Sequence, residues 1–232
     1  MIAVRDLSEL INSDDPGIAK IREWVRDGVN DCTLLPPSAE RTEVLFQTQV
    51  TTRSTIGAIA YETGGVLIDA GWLRFPGSGH PRLPRTLPGW NQGRSNRFYL
   101  VADDAVGGFF AINGGALGDD LKNMYYWPPD SLEWEPMGIG FSDFFVWSLS
   151  DRLAQLYESL RWPSWREDIA DLSGDYCFSF FPFLWTKEGS LSGSHRAPVP
   201  VREAFDLKVE ILRQLGEKTR GEEGVQRRRA KG

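Results

Sequence analysis

Two pairs of adjacent acids, Asp103-Asp104 and Asp119-Asp120, are the side chains whose type best suits chemistry. Two carboxylates facing each other across roughly 5–10 Å can hold a hard cation or do acid/base work on a sugar. Their spacing fits no calcium loop, and the plainer reading is that each pair stabilises a turn through side-chain to backbone hydrogen bonds. His80, in Gly77-Ser78-Gly79-His80-Pro81-Arg82, is of the residue type suited to bind an anion or act as a general base. Its alternative is a loop histidine packed on Trp72 or Trp90. His195 falls in a polar stretch and is expected to be solvated, which leaves too few histidines for a His-based metal site. Ser78 lacks the Gly-x-Ser-x-Gly elbow of a hydrolase, and Gly114–Gly118 lacks the Lys-Ser/Thr that completes a phosphate loop. No catalytic residue, metal ligand or cofactor is assigned.

Arg74, Arg82, Arg85, Arg94 and Arg97 form the densest basic group in the folded region. Together with Trp72 and Trp90 they could present the Arg and aromatic anchors enriched at interface hot spots. The alternative is an ordered loop held by Arg to carboxylate and Arg to backbone bonds. The ten residues nominated for a binding surface are Trp72, Arg74, His80, Arg82, Arg85, Trp90, Asp103, Asp104, Asp119 and Asp120.

The elements that must position them are legible in outline. Ile18, Ile21, Trp24 and Val25 recur at helical spacing after Asp14-Asp15-Pro16, which predicts a helical N-terminal hairpin with the pattern near Leu10. A further helix is expected from Ser38 to Gln49, with Val44 and Leu45 inward. Between Ile56 and Phe75 the alternation of apolar and small residues around Thr63-Gly64-Gly65 predicts two strands and a tight turn. Residues 76–97, rich in Pro, Gly and Arg, read as a long irregular loop, and such loops on rigid scaffolds carry function. Four strands in a meander follow, at Phe98–Ala102, Gly108–Ile112, Met124–Trp127 and Leu132–Glu135. Helices then start at Ser142-Asp143 and Ser150-Asp151, a short one follows Trp162-Pro163, and Tyr176–Trp185 is an edge or bulged strand because of Pro182. Thr186–Pro200 reads as a linker and Val201–Leu215 as a last helix. Residues 216–232 have almost nothing apolar to fold with and are expected to be a disordered charged tail.

Composition narrows the function classes. A net charge of -6 and a pI near 5.1 argue against binding a phosphate backbone, which needs a concentrated basic face. Nine Trp and thirteen Phe are enough large rings to dominate the core, so most of them are structural. Cys32 and Cys177 lack a second pair and are expected to be free, buried thiols. The first residues lack a signal peptide's apolar region and no run approaches the roughly 20 apolar residues of a membrane span, so a soluble cytoplasmic protein is expected, without nucleic-acid or membrane partners.

The segments TQVTTRS, GWLRFPGSGHPRLPR, GGFFAINGG and FFPFLWT, within Leu7 to Leu207, resemble the bacterial family of unknown function DUF2625. The succession of an Asp-Asp turn, GGFFAINGG, YYW, PPD, LEW and GFSDFFVW, over residues 56 to 149, is also similar to the closing half of the SUKH superfamily. That resemblance implies a small α+β module of the kind found in immunity proteins that bind toxins. The expected fold is therefore a single α+β domain over residues 1–215, an antiparallel meander packed by helices on one side, SUKH-like, with added terminal helices. The expected function is a non-catalytic protein-binding module, immunity-like in the narrower form that the SUKH resemblance implies, with the loop Gly71–Arg97 and the two Asp turns as its partner surface. The alternative is a carboxylate enzyme or sugar-binding protein that sets these acids beside Tyr125, Trp127 and Trp134.

Overall fold

The computed structural model describes residues 4–229, with side chains through residue 217. It opens with helices α1 (Leu7–Leu10) and α2 (Gly17–Asp27), the latter burying Ile18 and Ile21 as their spacing requires. Strand β1 (Cys32–Leu35) precedes α3 (Arg41–Thr48), whose Val44 and Leu45 point inward.

Helix α4 (Thr55–Glu62) stands where the first of two strands was expected. Ala58, Ile59 and Ala60 are all buried, so the segment has no polar stripe to mark a helix. Ser54 caps it, its Oγ accepting from the Gly57 amide at 3.1 Å. Gly57 lets the helix press on the Thr51 carbonyl oxygen, which a Cβ would meet at 2.1 Å. The hairpin that does form joins β2 (Gly65–Ile68) to β3 (Leu73–Pro76). Its turn is Asp69, Ala70 and Gly71, with φ of 52°, 58° and 89°, and not Thr63–Gly65.

Residues 77–97 contain the short helix α5 (Leu87–Asn91), capped by Thr86, inside the expected loop. Four strands then follow: β4 (Phe98–Asp104), β5 (Phe109–Asn113), β6 (Asn123–Trp127) and β7 (Glu135–Gly140). β7 begins where the last expected strand was to end, because Pro128 to Glu133 is a turn in which the Glu133 amide bonds to Ser131 Oγ at 3.0 Å. All seven strands pair antiparallel in chain order, so the expected meander extends back to β1.

After the sheet come α6 (Phe141–Ser148), α7 (Arg152–Leu156), a 3-10 turn at Glu158–Leu160 and α8 (Trp165–Ala170). A separate ribbon pairs β8 (Tyr176–Phe181) with β9 (His195–Pro200), which places His195 in a strand, not a linker. Helix α9 (Val201–Arg229) closes the described chain. The expected tail, 216–232, falls partly on this helical backbone and partly, at 230–232, outside the described residues.

Strand periodicity sends alternate residues to two faces. Val66, Ile68, Leu73, Phe75, Phe110 and Tyr126 pack with α2, α4 and α6 in the main core. The other face is also covered: Leu100, Phe109 and Trp127 pack under Trp90 of α5, Cys177 of β8 and Phe205 of α9. Phe205 sits 5.0 Å from the Phe109 ring and 5.9 Å from that of Trp90, both edge-on.

Candidate functional site

Asp103 and Asp104 end β4, so the two-residue period of the strand sends them to opposite faces. Asp104 enters the main core. Its Oδ1 accepts from the Val106 and Gly108 amides at 3.0 and 2.7 Å, and its Oδ2 from the Tyr126 and Tyr157 hydroxyls, each at 2.9 Å. Burial raises its pKa and these four donors oppose that rise. Burial and the adjacent carboxylate hold both phenols well above their ordinary range. Gly108 keeps this knot closed, since a Cβ there would lie 2.1 Å from Asp104 Oδ2.

Asp103 faces the α5 and α9 side, directly across from Arg74 on β3. Arg74 approaches its Oδ1 at 2.6 Å, and the Arg85 guanidinium closes on its Oδ2. Arg74 also donates to the carbonyls of Tyr176 at 2.5 Å and Asp104 at 2.7 Å. Arg85 reaches on to Asp175 at 2.9 Å. Charge thus runs outward from the buried pair Arg74–Asp103 through Arg85 to Asp175, whose side chain is 38% exposed. The guanidinium groups of Arg85 and Arg94 lie 5.3 and 5.1 Å from the Trp90 ring, within cation–π range.

A cleft of about 530 Å³ opens where this chain of charges meets solvent, walled by Arg85, Thr86, Trp90, Asp175, Val201 and Arg202. A second cleft of about 470 Å³, lined by Pro36, Pro37, Ser78, His80, Pro81 and Pro84, adjoins it, and Thr86 lines both.

The structure divides the ten nominated residues. Arg85 and Trp90 line the first cleft, and Arg74 and Asp103 stand behind Arg85 as an enclosed ion pair. Trp72 does not present an outward anchor: it is fully buried, with Trp165 and Tyr157 edge-on at 5.1 and 5.3 Å and Arg161 at 4.8 Å. Arg74, Trp90, Asp103 and Asp104 are likewise buried, so the face expected from Gly71 to Arg97 points largely inward. The reason is that two hydrophobic layers close over this loop, one from α8 and one from α9. His80 borders the second cleft, its Nδ1 accepting from the Arg82 amide at 3.2 Å, while Arg82 is exposed. Asp120 bonds the Tyr125 hydroxyl at 2.5 Å and the Asn123 amide at 3.1 Å, and the Tyr125 bond lowers its pKa. Asp119 is exposed. The four acids therefore occupy three separate environments. Among the described residues, no three His, Cys, Asp or Glu side chains group to hold a metal, and no helix is long and apolar enough to cross a membrane. Cys32 and Cys177 are free, half-buried and buried respectively, and burial pushes both thiols up to about 12.

The model of the family described as "Protein of unknown function DUF2625" matches residues 7–204. The chain belongs to the DUF2625 family. It is 41% identical over 212 residues to "Putative uncharacterized protein YbfG" of Escherichia coli (strain K12), covering 90% of this chain and 97% of that one. It is 36% identical over 191 residues to an uncharacterized protein of Haemophilus influenzae, covering 78% of this chain and 83% of the relative. No solved structure matches the chain at a significant level.

In this DUF2625 chain, sequence reasoning missed Asp175 and Arg202 at the cleft, and Tyr126, Tyr157 and Lys208 in the interior. Asp175 and Arg202 carry no local signature; only the approach of β8 and α9 to β3 makes them neighbours. Lys208 did carry one. It occupies the apolar stripe of α9 with Val201 and Phe205, where a lysine breaks the pattern.

Lys208 is buried, donates to the Pro128 carbonyl at 2.5 Å, and lies 4.5 Å from the Trp127 ring, 5.7 Å from Trp185 and 5.9 Å from Phe109. Burial pushes its pKa down to about 7 against the pull of Asp104, Asp130 and Cys177. In the unfolded chain the amine stays protonated up to its ordinary value of 10.5, so between about pH 7 and 10.5 the unfolded state holds the extra proton. Stability from this group is complete above pH 10.5 and is lost as pH falls toward 7, at up to about 1.4 kcal/mol per unit. Chemical denaturation of Lys208→Met is expected to remove this slope relative to the native chain and to leave the variant the more stable of the two at pH 6. Parallel pH profiles for the two proteins would refute the assignment.

Proposed function

We propose that this DUF2625 chain is a non-catalytic, protein-binding module that works in the cytoplasm. The observation that carries the reading is a pair of clefts with Thr86 in both walls, one lined by Arg and Trp and the other by prolines. Arg with aromatic side chains is the chemistry enriched at interface centres, which suits a polypeptide partner. Two unpaired cysteines suit a reducing compartment. The carboxylate-enzyme reading needs acids that converge in one pocket. Here Asp103 is engaged by two guanidiniums, Asp104 lies across the sheet and Asp120 is held by Tyr125. An immunity-like role is the narrowest form of the proposal, with a toxin as the partner.

The test is affinity capture from cells that express the protein, beside a Pro84→Arg, Gln92→Arg variant that alters one exposed wall of each cleft. A stoichiometric partner lost by the folded variant is the expected result. A partner held equally by both proteins would place the binding surface elsewhere.

A further inference from the structure

We infer that two copies of this chain associate through the free edge of β1, pairing it antiparallel with itself across a two-fold axis so that the two seven-stranded sheets run on into one another. The inference goes beyond the binding-module reading and does not depend on it. β1 is the end strand of its sheet and pairs with β2 alone. The Asp31 carbonyl accepts from the Asp69 amide at 2.9 Å and the Leu35 carbonyl from the Gly64 amide at 2.8 Å, so both residues turn their main-chain groups toward β2. The two-residue period turns those of Thr33 the same way and those of Cys32 and Leu34 outward. Among the described residues, no loop main chain bonds to these outward groups. The Thr33 side chain is exposed, whereas Cys32 and Leu34 pack against the main core.

Proteins keep exposed strand edges from pairing with charges, prolines and bulges. β7, at the far end of the sheet, has an acid at Glu135, no amide at Pro136, and a register shift that includes Gly138 at a φ of 69°. β9 lacks amides at Pro198 and Pro200. The outer side of β8 is occupied, with the Phe178 amide on the Ala105 carbonyl at 2.7 Å and Arg74 on the Tyr176 carbonyl. β1, Cys32-Thr33-Leu34-Leu35, has no charge, proline or bulge, and its register with β2 is unbroken. The occupant follows from complementary partial charge: N–H and C=O groups at strand spacing are matched by another strand. β1 matches itself. With Cys32 of one copy opposite Leu34 of the second, every outward amide and carbonyl finds a partner, and Thr33 meets Thr33 on the axis as a close, non-hydrogen-bonded pair. Asp31 falls opposite Leu35, so no like charges meet along the seam. A strand of four residues makes a short seam. The dimer is therefore expected to be weak, half-formed at on the order of 0.1–1 mM chain.

The experiment is sedimentation of the full chain across that range, with main-chain hydrogen exchange measured at its two ends. A monomer–dimer equilibrium is expected, in which the Cys32 and Leu34 amides exchange more slowly as the dimer forms while the Thr33 amide, which faces β2, is unchanged. Thr33→Lys, at an exposed site, sets like charges opposite each other and is expected to weaken the dimer about fivefold, and Thr33→Asp to do the same. An equal mixture of the two variants is expected to restore association as a mixed dimer, a recovery that misfolding of either one would not produce. A chain that stays monomeric throughout, a dimer whose Cys32 and Leu34 amides exchange as in the monomer, or variants that neither weaken alone nor recover when mixed would each overturn the inference. So would a monomer whose β1 edge is protected only beside a captured partner protein, which would assign the edge to that partner.

Discussion

Replacing Asp103 with alanine is expected to destabilise the protein by on the order of 3–5 kcal/mol, the cost of leaving buried charge uncompensated. Arg74 would lose its 2.6 Å partner in a fully enclosed position, and Arg85 would lose the contact that aims it at the cleft. Urea unfolding measures the loss. The paired change Asp103→Leu, Arg74→Met is expected to recover part of it, because two apolar groups of similar volume remove the desolvation problem that one leaves behind. The single variant should also shift the Trp90 indole resonance, since Arg85 lies against that ring. A loss below about 1 kcal/mol would mean that water reaches the network and screens it as at a surface pair.

Asp104→Ala is expected to cost a similar amount, on the order of 3–5 kcal/mol, for a different reason. Two tyrosine hydroxyls and two backbone amides would lose one common acceptor in the interior. Asp104→Asn keeps an oxygen for the amides and presents an NH2 group to phenol oxygens, which can turn to accept it, so it is expected to cost about half as much. Neither change should disturb the Trp90 resonance, because Asp104 projects from the other face of the sheet. An Asp104→Ala variant that altered the cleft as strongly as Asp103→Ala would show that the two faces are coupled through β4.

These neighbouring acids also show how far the chain could be read in one dimension. The strands Phe98–Ala102 and Gly108–Ile112 were legible from alternation, but the turn expected at Asp103-Asp104 follows those acids instead, because β4 runs on through both of them to pair with β3. Alternation likewise implies that Asp103 and Asp104 diverge once the strand is extended to include them. What each acid meets was not legible. Arg74 is reached by register, 29 residues earlier in the chain, and Tyr157 by the return of α7 across the sheet.

Two segments were misread for one physical reason. In α4 and in β9, the neighbours that bury or pair the segment come from elsewhere, and they erase or supply what local pattern would otherwise reveal. α4 is covered on nearly all sides and so lost its helical stripe. β9 is polar and proline-containing, and it is a strand because β8 pairs with it along six residues. Composition points to Trp72 and Trp90 as surface anchors, because a Pro, Gly and Arg-rich stretch resembles an exposed loop. The helices α8 and α9, each remote in sequence, bury the aromatic side chains of that stretch.

By itself, then, the sequence determined the α+β class, the meander from β4 onward, the inward faces of α2 and α3, and membership of a family, all of which follow from periodicity, turn residues and local motifs. Only the tertiary structure decided which of the many arginines and acids are interior supports and which border a cleft. Charge pairing acts over a few ångströms of space, and β3, β4, β8 and the start of α9 come within that range only when the second face of the sheet is closed.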